Sequence, residues 1–197
     1  MKEINKFFFK TVLFLLFVLS AHAESKILSI GSSKAKVTIK VFSSLTCPHC
    51  ADFHINVYEK LKEEYIDKGL VKFEHHAFPL DLAALNAEVI IRCQENTVKK
   101  FELLAEIYNK QTTWAIGSDI NKINELIKKV GLNFDLSNEK MDTCLKSEKV
   151  QDEILEQRIE AQKRYKIDST PTIIINEKKY LGEVNYKQFK KAIENKL

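Results

Sequence analysis

The chain has 197 residues, with 31 lysines and arginines against 27 aspartates and glutamates, a formal charge of +4 at pH 7 and 45% hydrophobic residues. It is long enough to bury a core without staples, and its charge balance gives no footprint for nucleic-acid binding. Much of the positive excess sits in the opening stretch "MKEINKFFFKTVLFLLFVLSAHAES". There Lys2, Lys6 and Lys10 precede an apolar run over residues 12–19, followed by Ala21-His22-Ala23. This is the layout of a secretory signal peptide over residues 1–23, cleaved after Ala23. The apolar run is far short of the roughly 20 residues that a membrane-spanning helix needs. An exported chain meets an oxidising compartment, the periplasm, where disulfides persist. All four cysteines, Cys47, Cys50, Cys93 and Cys144, follow the leader. Four cysteines allow three pairings. Cys47 and Cys50 pair with each other by proximity if they pair at all, which leaves Cys93 with Cys144.

In chain order, "VTIKVF" (37–42) alternates Val37, Ile39 and Val41 on one face and reads as a strand. From Pro48, Phe53, Val57, Leu61 and Tyr65 recur every fourth residue, a helix that Gly69 ends. "LVKFEHHAF" (70–78) is a second strand, with Val71, Phe73, His75 and Ala77 on one face. A strand, a helix and a strand with a short return make a βαβ unit with parallel strands. The middle is helical: residues 82–93, then Val98, Phe101, Ala105 and Tyr108, then Ile120, Ile123, Ile127 and Val130 at helical spacing. A short helix runs to Cys144, and a long one from Glu148 to Lys166 carries Val150, Ile154, Ala161 and Tyr165 in register. "STPTIIINEKKYLG" (169–182) reads as two short strands joined by the turn "NEKK", and Tyr186, Phe189 and Ile193 mark a closing helix. The whole is an α/β arrangement, one mixed sheet flanked by helices, with a helical block inserted between its halves.

The segment "TCPHC" carries chemistry. Pro48 suits the first turn of a helix, where its missing N–H costs nothing. Cys47 then stands at the helix N-terminus, where free N–H groups and the positive dipole end favour thiolate over thiol. His49 adds a donor or a positive charge close by. Cys50, one turn further in, is the shielded sulfur, so Cys47 is the attacked one and Cys50 the resolving one. Stabilising the thiolate stabilises the reduced form and makes the disulfide an oxidant. Half a zinc site is the competing assignment, with Cys47, Cys50 and His54 completed by His75 or His76. A second C-x-x-C is absent, and structural zinc sites are rarely so mixed. An inert disulfide at this spacing would close too small a loop to restrain the unfolded chain much. Further on, Thr170-Pro171 precedes the apolar "TIII". Proline is tolerated at a strand's first residue. Together with the helix-opening cysteine pair, a cis Thr170–Pro171 bond is expected.

At these residues the chain resembles the thioredoxin superfamily, and within it the DsbA-type thiol:disulfide oxidoreductases. The resemblance covers everything after the leader. It rests on "CPHC", the "TP" before the last two strands, the leader itself and the helices inserted after the βαβ half. It implies a thioredoxin fold made of residues 24–82 and 151–197, with residues 83–150 as an inserted all-helical domain. It implies Cys47 as nucleophile, Cys50 as resolving thiol, and Pro48 and His49 as the dipeptide tuning them, with His49 stabilising the thiolate. Pro171 would be the cis-proline facing the disulfide, and the Thr170 backbone would contact substrate peptide. No cofactor beyond the redox-active Cys47–Cys50 disulfide and no metal is implied. The implied partners are folding exported proteins with cysteines, and a DsbB-like membrane protein that passes electrons to quinone. A monomer is expected. Thr170 stands where the well-known enterobacterial oxidases have Val, and threonine occurs there in less oxidising relatives and in isomerases. Disulfide donor, isomerase or reductase, and zinc-binding structural module are therefore three separate expectations, the donor first. Some alphaproteobacterial relatives carry a second disulfide in the helical domain, and Cys93 with Cys144 is similar.

Several residues have plainer assignments. His75 and His76 fall on opposite faces of one strand and cannot both point at one site. His54 is expected on a helix surface, and Trp114 in a loop of the helical block as core packing. Phe78-Pro79-Leu80 ends the second strand at the rim where family members bind peptide.

Overall fold

The computed structural model describes residues 27–197, so the signal-peptide assignment of residues 1–23 lies outside the described residues. Five strands form one sheet in the order β1-β3-β2-β4-β5. They are β1 (Leu28–Ile30), β2 (Val37–Ser43), β3 (Val71–Ala77), β4 (Thr172–Ile175) and β5 (Lys178–Lys179). β2 and β3 run parallel, with Val37 opposite Val71 and Ser43 opposite Ala77. β1 pairs antiparallel with β3, and β4 antiparallel with β2. The pair β4–β5 turns through Asn176 and Glu177, both at positive φ. That is the twist a two-residue hairpin needs, and it places β5 at Lys178–Lys179, inside the expected turn "NEKK" rather than after it. β1 was not anticipated: three half-buried residues give too little alternation to read. Gly31, which follows it, is at φ +98°, and a Cβ there would stand 2.4 Å from the Val71 carbonyl oxygen.

Helix α1 follows β2 over residues 48–66, but it is not a plain α-helix. α-helical turns at Pro48–Phe53 and Glu59–Leu61 alternate with π-helical turns at His54–Tyr58 and Lys62–Ile66. The sequence explains the departure. A stripe that repeats every four residues drifts around a helix of 3.6 residues per turn. Interleaved wide turns cancel that drift and keep Phe53, Val57, Leu61 and Tyr65 all buried on one line. Gly69, at φ +70°, ends the segment as expected. The remaining helices are α2 (Leu82–Cys93), α3 (Thr97–Asn109), α4 (Gln111–Trp114), α5 (Ile120–Gly131), α6 (Asn138–Leu145), α7 (Glu148–Tyr165) and α8 (Tyr186–Glu194). Side chains of Asp81, Asn96, Asp119, Ser137 and Asn185 each accept from a first-turn N–H, which marks five helix starts.

Val37, Ile39 and Val41 face α1 and α8 in the main core, while Phe42 and Ile174 face Ala161 of α7 on the other side. Phe53, with no exposed surface, meets Phe189 edge-on at 5.9 Å. Truncating such a ring costs about 3–5 kcal/mol. Three expectations need correction. Trp114 is in helix α4 rather than a loop, although it is buried as anticipated. Val98 is 57% exposed, so the α3 stripe centres on Phe101, Leu104 and Tyr108 instead. His54 is no surface residue: it is 2% exposed because α3 covers the flank of α1 that a bare βαβ unit would leave open.

Cys93 at the end of α2 and Cys144 in α6 are joined by a disulfide across 51 residues. A loop of that size stabilises by about 4 kcal/mol through the entropy removed from the unfolded chain. Replacing both residues by alanine is expected to lower the urea unfolding free energy by about that much with the sheet intact. An unchanged unfolding midpoint would show that the cross-link does not stabilise this fold.

Candidate active site

Strand β2 delivers the chain to a tight turn at residues 44–46. Cys47 caps α1 with extended backbone (φ −80°, ψ 120°), and Pro48 takes the first helical position. The Cys47 N–H donates to the Ser44 carbonyl at 3.1 Å, while the Cys47 carbonyl accepts from Cys50 at 3.1 Å and Ala51 at 3.2 Å. Both cysteines are free thiols. Cys47 keeps 8% of its surface exposed and Cys50 none. Pro48 and His49 are exposed beside them.

The antiparallel pairing of β4 with β2 sets Thr172 opposite Phe42, which brings residues 170 and 171 over the same turn. The Thr170–Pro171 peptide bond is cis. The Cys47 thiol donates to the Thr170 carbonyl at 3.3 Å. Thus the structure brings Cys47, Pro48, His49, Cys50, Thr170 and Pro171 together. Cys93 and Cys144 are elsewhere, between α2 and α6. Phe78-Pro79-Leu80 borders the turn: the Leu80 N–H donates to Ser44 Oγ at 3.3 Å, and Thr46 Oγ1 donates to Asp81 at 2.7 Å.

The two sulfurs are electrostatically unlike. The Cys50 thiol beside Cys47 draws the Cys47 pKa down to about 5. Partial burial opposes this, and the Thr170 side chain and the backbone N–H groups of Cys50 and His49 add to it. The His49 imidazole is exposed beside the sulfur, and its backbone N–H is one of those donors. Cys50 moves the other way: burial, then the neighbouring Cys47, push its thiol far up. One sulfur is poised to be a thiolate at neutral pH and the other to stay protonated.

Behind the pair lies a buried polar chain. His54 stacks on Tyr108 with centroids 4.2 Å apart and has the His75 ring 6.3 Å away. His75 meets Glu88 at 3.0 Å, and Arg92 donates to Glu88 at 3.2 Å. Burial first, then His75, hold His54 well below the usual histidine range, so it is neutral. Burial alone would raise Glu88, but His75 and Arg92 outweigh it and hold the carboxyl below its usual range. His76, on the opposite face as expected, meets Glu74 at 3.0 Å. Among the described residues, no group of three or more His, Cys, Asp or Glu side chains converges to hold a metal ion. Gln111 is a site residue that sequence reasoning missed. Its Nε2 donates to the Leu45 and Cys47 carbonyls, and a single glutamine in "QTTW" carries no signal of that.

Fold and site together define a thioredoxin-like protein. The profile of the family described as Thioredoxin matches residues 23–195, and the chain belongs to that family. It is similar to DsbA-type proteins within it. It is 30% identical over 179 residues to the probable disulfide bond formation protein D of Bacillus anthracis, covering 86% of this chain and 77% of that one. It is 28% identical over 147 residues to a putative protein-disulfide oxidoreductase of Rickettsia typhi, covering 75% of this chain and 53% of the relative. The chain thus spans about half the length of the rickettsial relatives it matches. Among solved structures, the crystal structure of Wolbachia pipientis alpha-DsbA1 superposes with a TM-score of 0.79 at 27% identity, covering 86% of this chain and 90% of that one.

The lowered Cys47 pKa makes the stability of the reduced protein depend on pH. Its folded value of about 5 is below the unfolded 9.0, so the thiolate stabilises the reduced protein. The gain is complete above the unfolded value and is lost as pH falls toward the folded one. Urea unfolding of the reduced and disulfide forms, compared at each pH, is expected to show the reduced form gaining between about pH 5 and about pH 9. A pH-independent difference would mean that Cys47 is an ordinary thiol.

Proposed function

We propose that this chain is an exported thiol:disulfide oxidoreductase that donates the Cys47–Cys50 disulfide to cysteines of newly secreted proteins. The observation that carries the proposal is the asymmetry of the pair: an edge-exposed, acidic Cys47 beside a fully buried, weakly acidic Cys50. The leader-like residues 1–23 support export to the periplasm, and the helices that come between β3 and β4 of the sheet support the DsbA-type reading.

In the oxidised protein a substrate thiolate attacks Cys47 Sγ. A substrate–Cys47 bond forms, the Cys47–Cys50 bond breaks, and the electron pair leaves on Cys50, which takes up a proton. A second substrate thiolate then attacks the substrate sulfur of this mixed disulfide. The substrate disulfide forms and Cys47 leaves as thiolate. Two electrons have moved from substrate to the cysteine pair. The low pKa of Cys47 makes it the better leaving group, which drives the second step forward. The Thr170 carbonyl and cis Pro171 stand beside the sulfur, where an extended substrate backbone would lie. Reoxidation requires a disulfide-bearing or quinone-linked partner, for which a DsbB-like membrane protein is the candidate.

Two measurements test this. Cys50→Ala is expected to trap a mixed disulfide when its Cys47 thiolate attacks a peptide disulfide and one peptide sulfur leaves as thiolate, whereas Cys47→Ser traps none. Equilibration of the purified protein with glutathione is expected to give a potential toward the strongly oxidising end, about −120 mV. A value near roughly −270 mV would make the protein a reductase and overturn the donor assignment.

A further inference from the structure

The turn that presents Cys47 is gripped from outside its own half of the fold. Gln111 opens α4 in the helical segment and is 7% exposed. Its Nε2 donates to the Leu45 carbonyl at 2.7 Å and to the Cys47 carbonyl at 3.0 Å. A primary amide nitrogen has two hydrogens, and both are used here, on the carbonyls flanking Thr46. Trp114 in the same short helix is buried and donates from Nε1 to the Ile107 carbonyl at 2.8 Å, so the amide is held from a fixed base. The Cys47 carbonyl it contacts also accepts the first helical N–H groups, those of Cys50 and Ala51. The orientation of this one peptide therefore decides where the start of α1 points.

We propose that Gln111 is a positioning residue for exchange at Cys47: by fixing two carbonyls of the turn, it holds the start of α1, and with it Cys47 Sγ, against the Thr170 carbonyl. Its consequence for exchange rests on the donor assignment, but its effect on the sulfur does not. The amide does not touch the reacting atoms. It also neutralises the negative end of the Cys47 carbonyl, which otherwise opposes a thiolate on the same residue. Glutamate is no substitute, because a carboxylate has no donor and would set its oxygens against both carbonyls.

The test is the acidity of Cys47 in reduced Gln111→Met, which keeps length and bulk and removes both donors. Thiolate absorbance is expected to show the Cys47 transition moving up by about one unit, and the equilibrium with glutathione shifting about tenfold toward the disulfide. Gln111→Glu is expected to move both further the same way. The fluorescence of Trp114, the single tryptophan, reports whether the packing around α4 survives. A folded Gln111→Met with lower thermal stability but an unchanged Cys47 transition would overturn the proposal, leaving Gln111 a purely structural residue. If neither variant folds, the native protein decides. Its Gln111 side-chain amide signals are expected to exchange slowly and to titrate in step with Cys47, and fast-exchanging signals indifferent to that titration would overturn the proposal. None of these readouts needs substrate turnover, so a failed donor assignment would leave them standing.

Discussion

The antiparallel pairing of β4 with β2 is the constraint on which the site depends. It sets Thr172 opposite Phe42 and so carries Thr170 to within hydrogen-bond distance of the sulfur that caps α1. β2 is the central strand, buried on both faces, and its own parallel partner β3 fixes its register over seven residues. Ile173 and Ile175 pack in the main core and Ile174 against Ala161 on the other face, while Asn176 accepts from the Thr38 N–H and donates to the Lys36 carbonyl, so β4 is held beside β2 from both sides and at its end.

On that platform, small local terms are made unequal for two sulfurs one helical turn apart. Both feel the same helix start. Cys47 keeps an edge in solvent and collects donors, while Cys50 is enclosed and collects none that offset its burial. Desolvation raises a thiol and nearby donors lower it, so the donors at Cys47 and the burial of Cys50 together decide which sulfur is which. The enclosure is not free. His54 lies wholly buried near Cys50 on α1, with neither ring nitrogen bonded to another described residue. A buried polar group left so costs about 1–3 kcal/mol. Stability has been given up directly behind the cysteine pair, which is where sequences that otherwise obey local rules tend to break them.

Much of this was legible in the sequence, and what was not has a common cause. Val37, Ile39 and Val41, the parallel β2–β3 pair and the helical block all follow from local periodicity. The CPHC segment announces a helix-capped cysteine pair because proline and the helix terminus are local facts. His54 and Gln111 were misread or missed because their roles depend on contacts between segments far apart in sequence: Tyr108 stacks on the one, and the carbonyls of Leu45 and Cys47 meet the other. The π-helical turns of α1 were readable in principle, since a repeat of four is longer than an α-helical turn, yet a stripe of apolar residues is easily taken for an ordinary helix.

The helical segment is therefore more than a lid added to a redox fold. It supplies Tyr108, which covers His54, and Gln111, which holds the turn. Residues near its entrance, Leu80 and Asp81, tie that turn from the other side through Ser44 and Thr46. Without these contacts the start of α1 would face water on a flank that is now closed, and the electrostatic difference between Cys47 and Cys50 would narrow as Cys50 became solvated. The four residues of "CPHC" specify which two sulfurs stand at the start of α1. How unlike the two sulfurs are is a property of the packing between the inserted helices and the sheet, and so it can change through residues that never approach the disulfide.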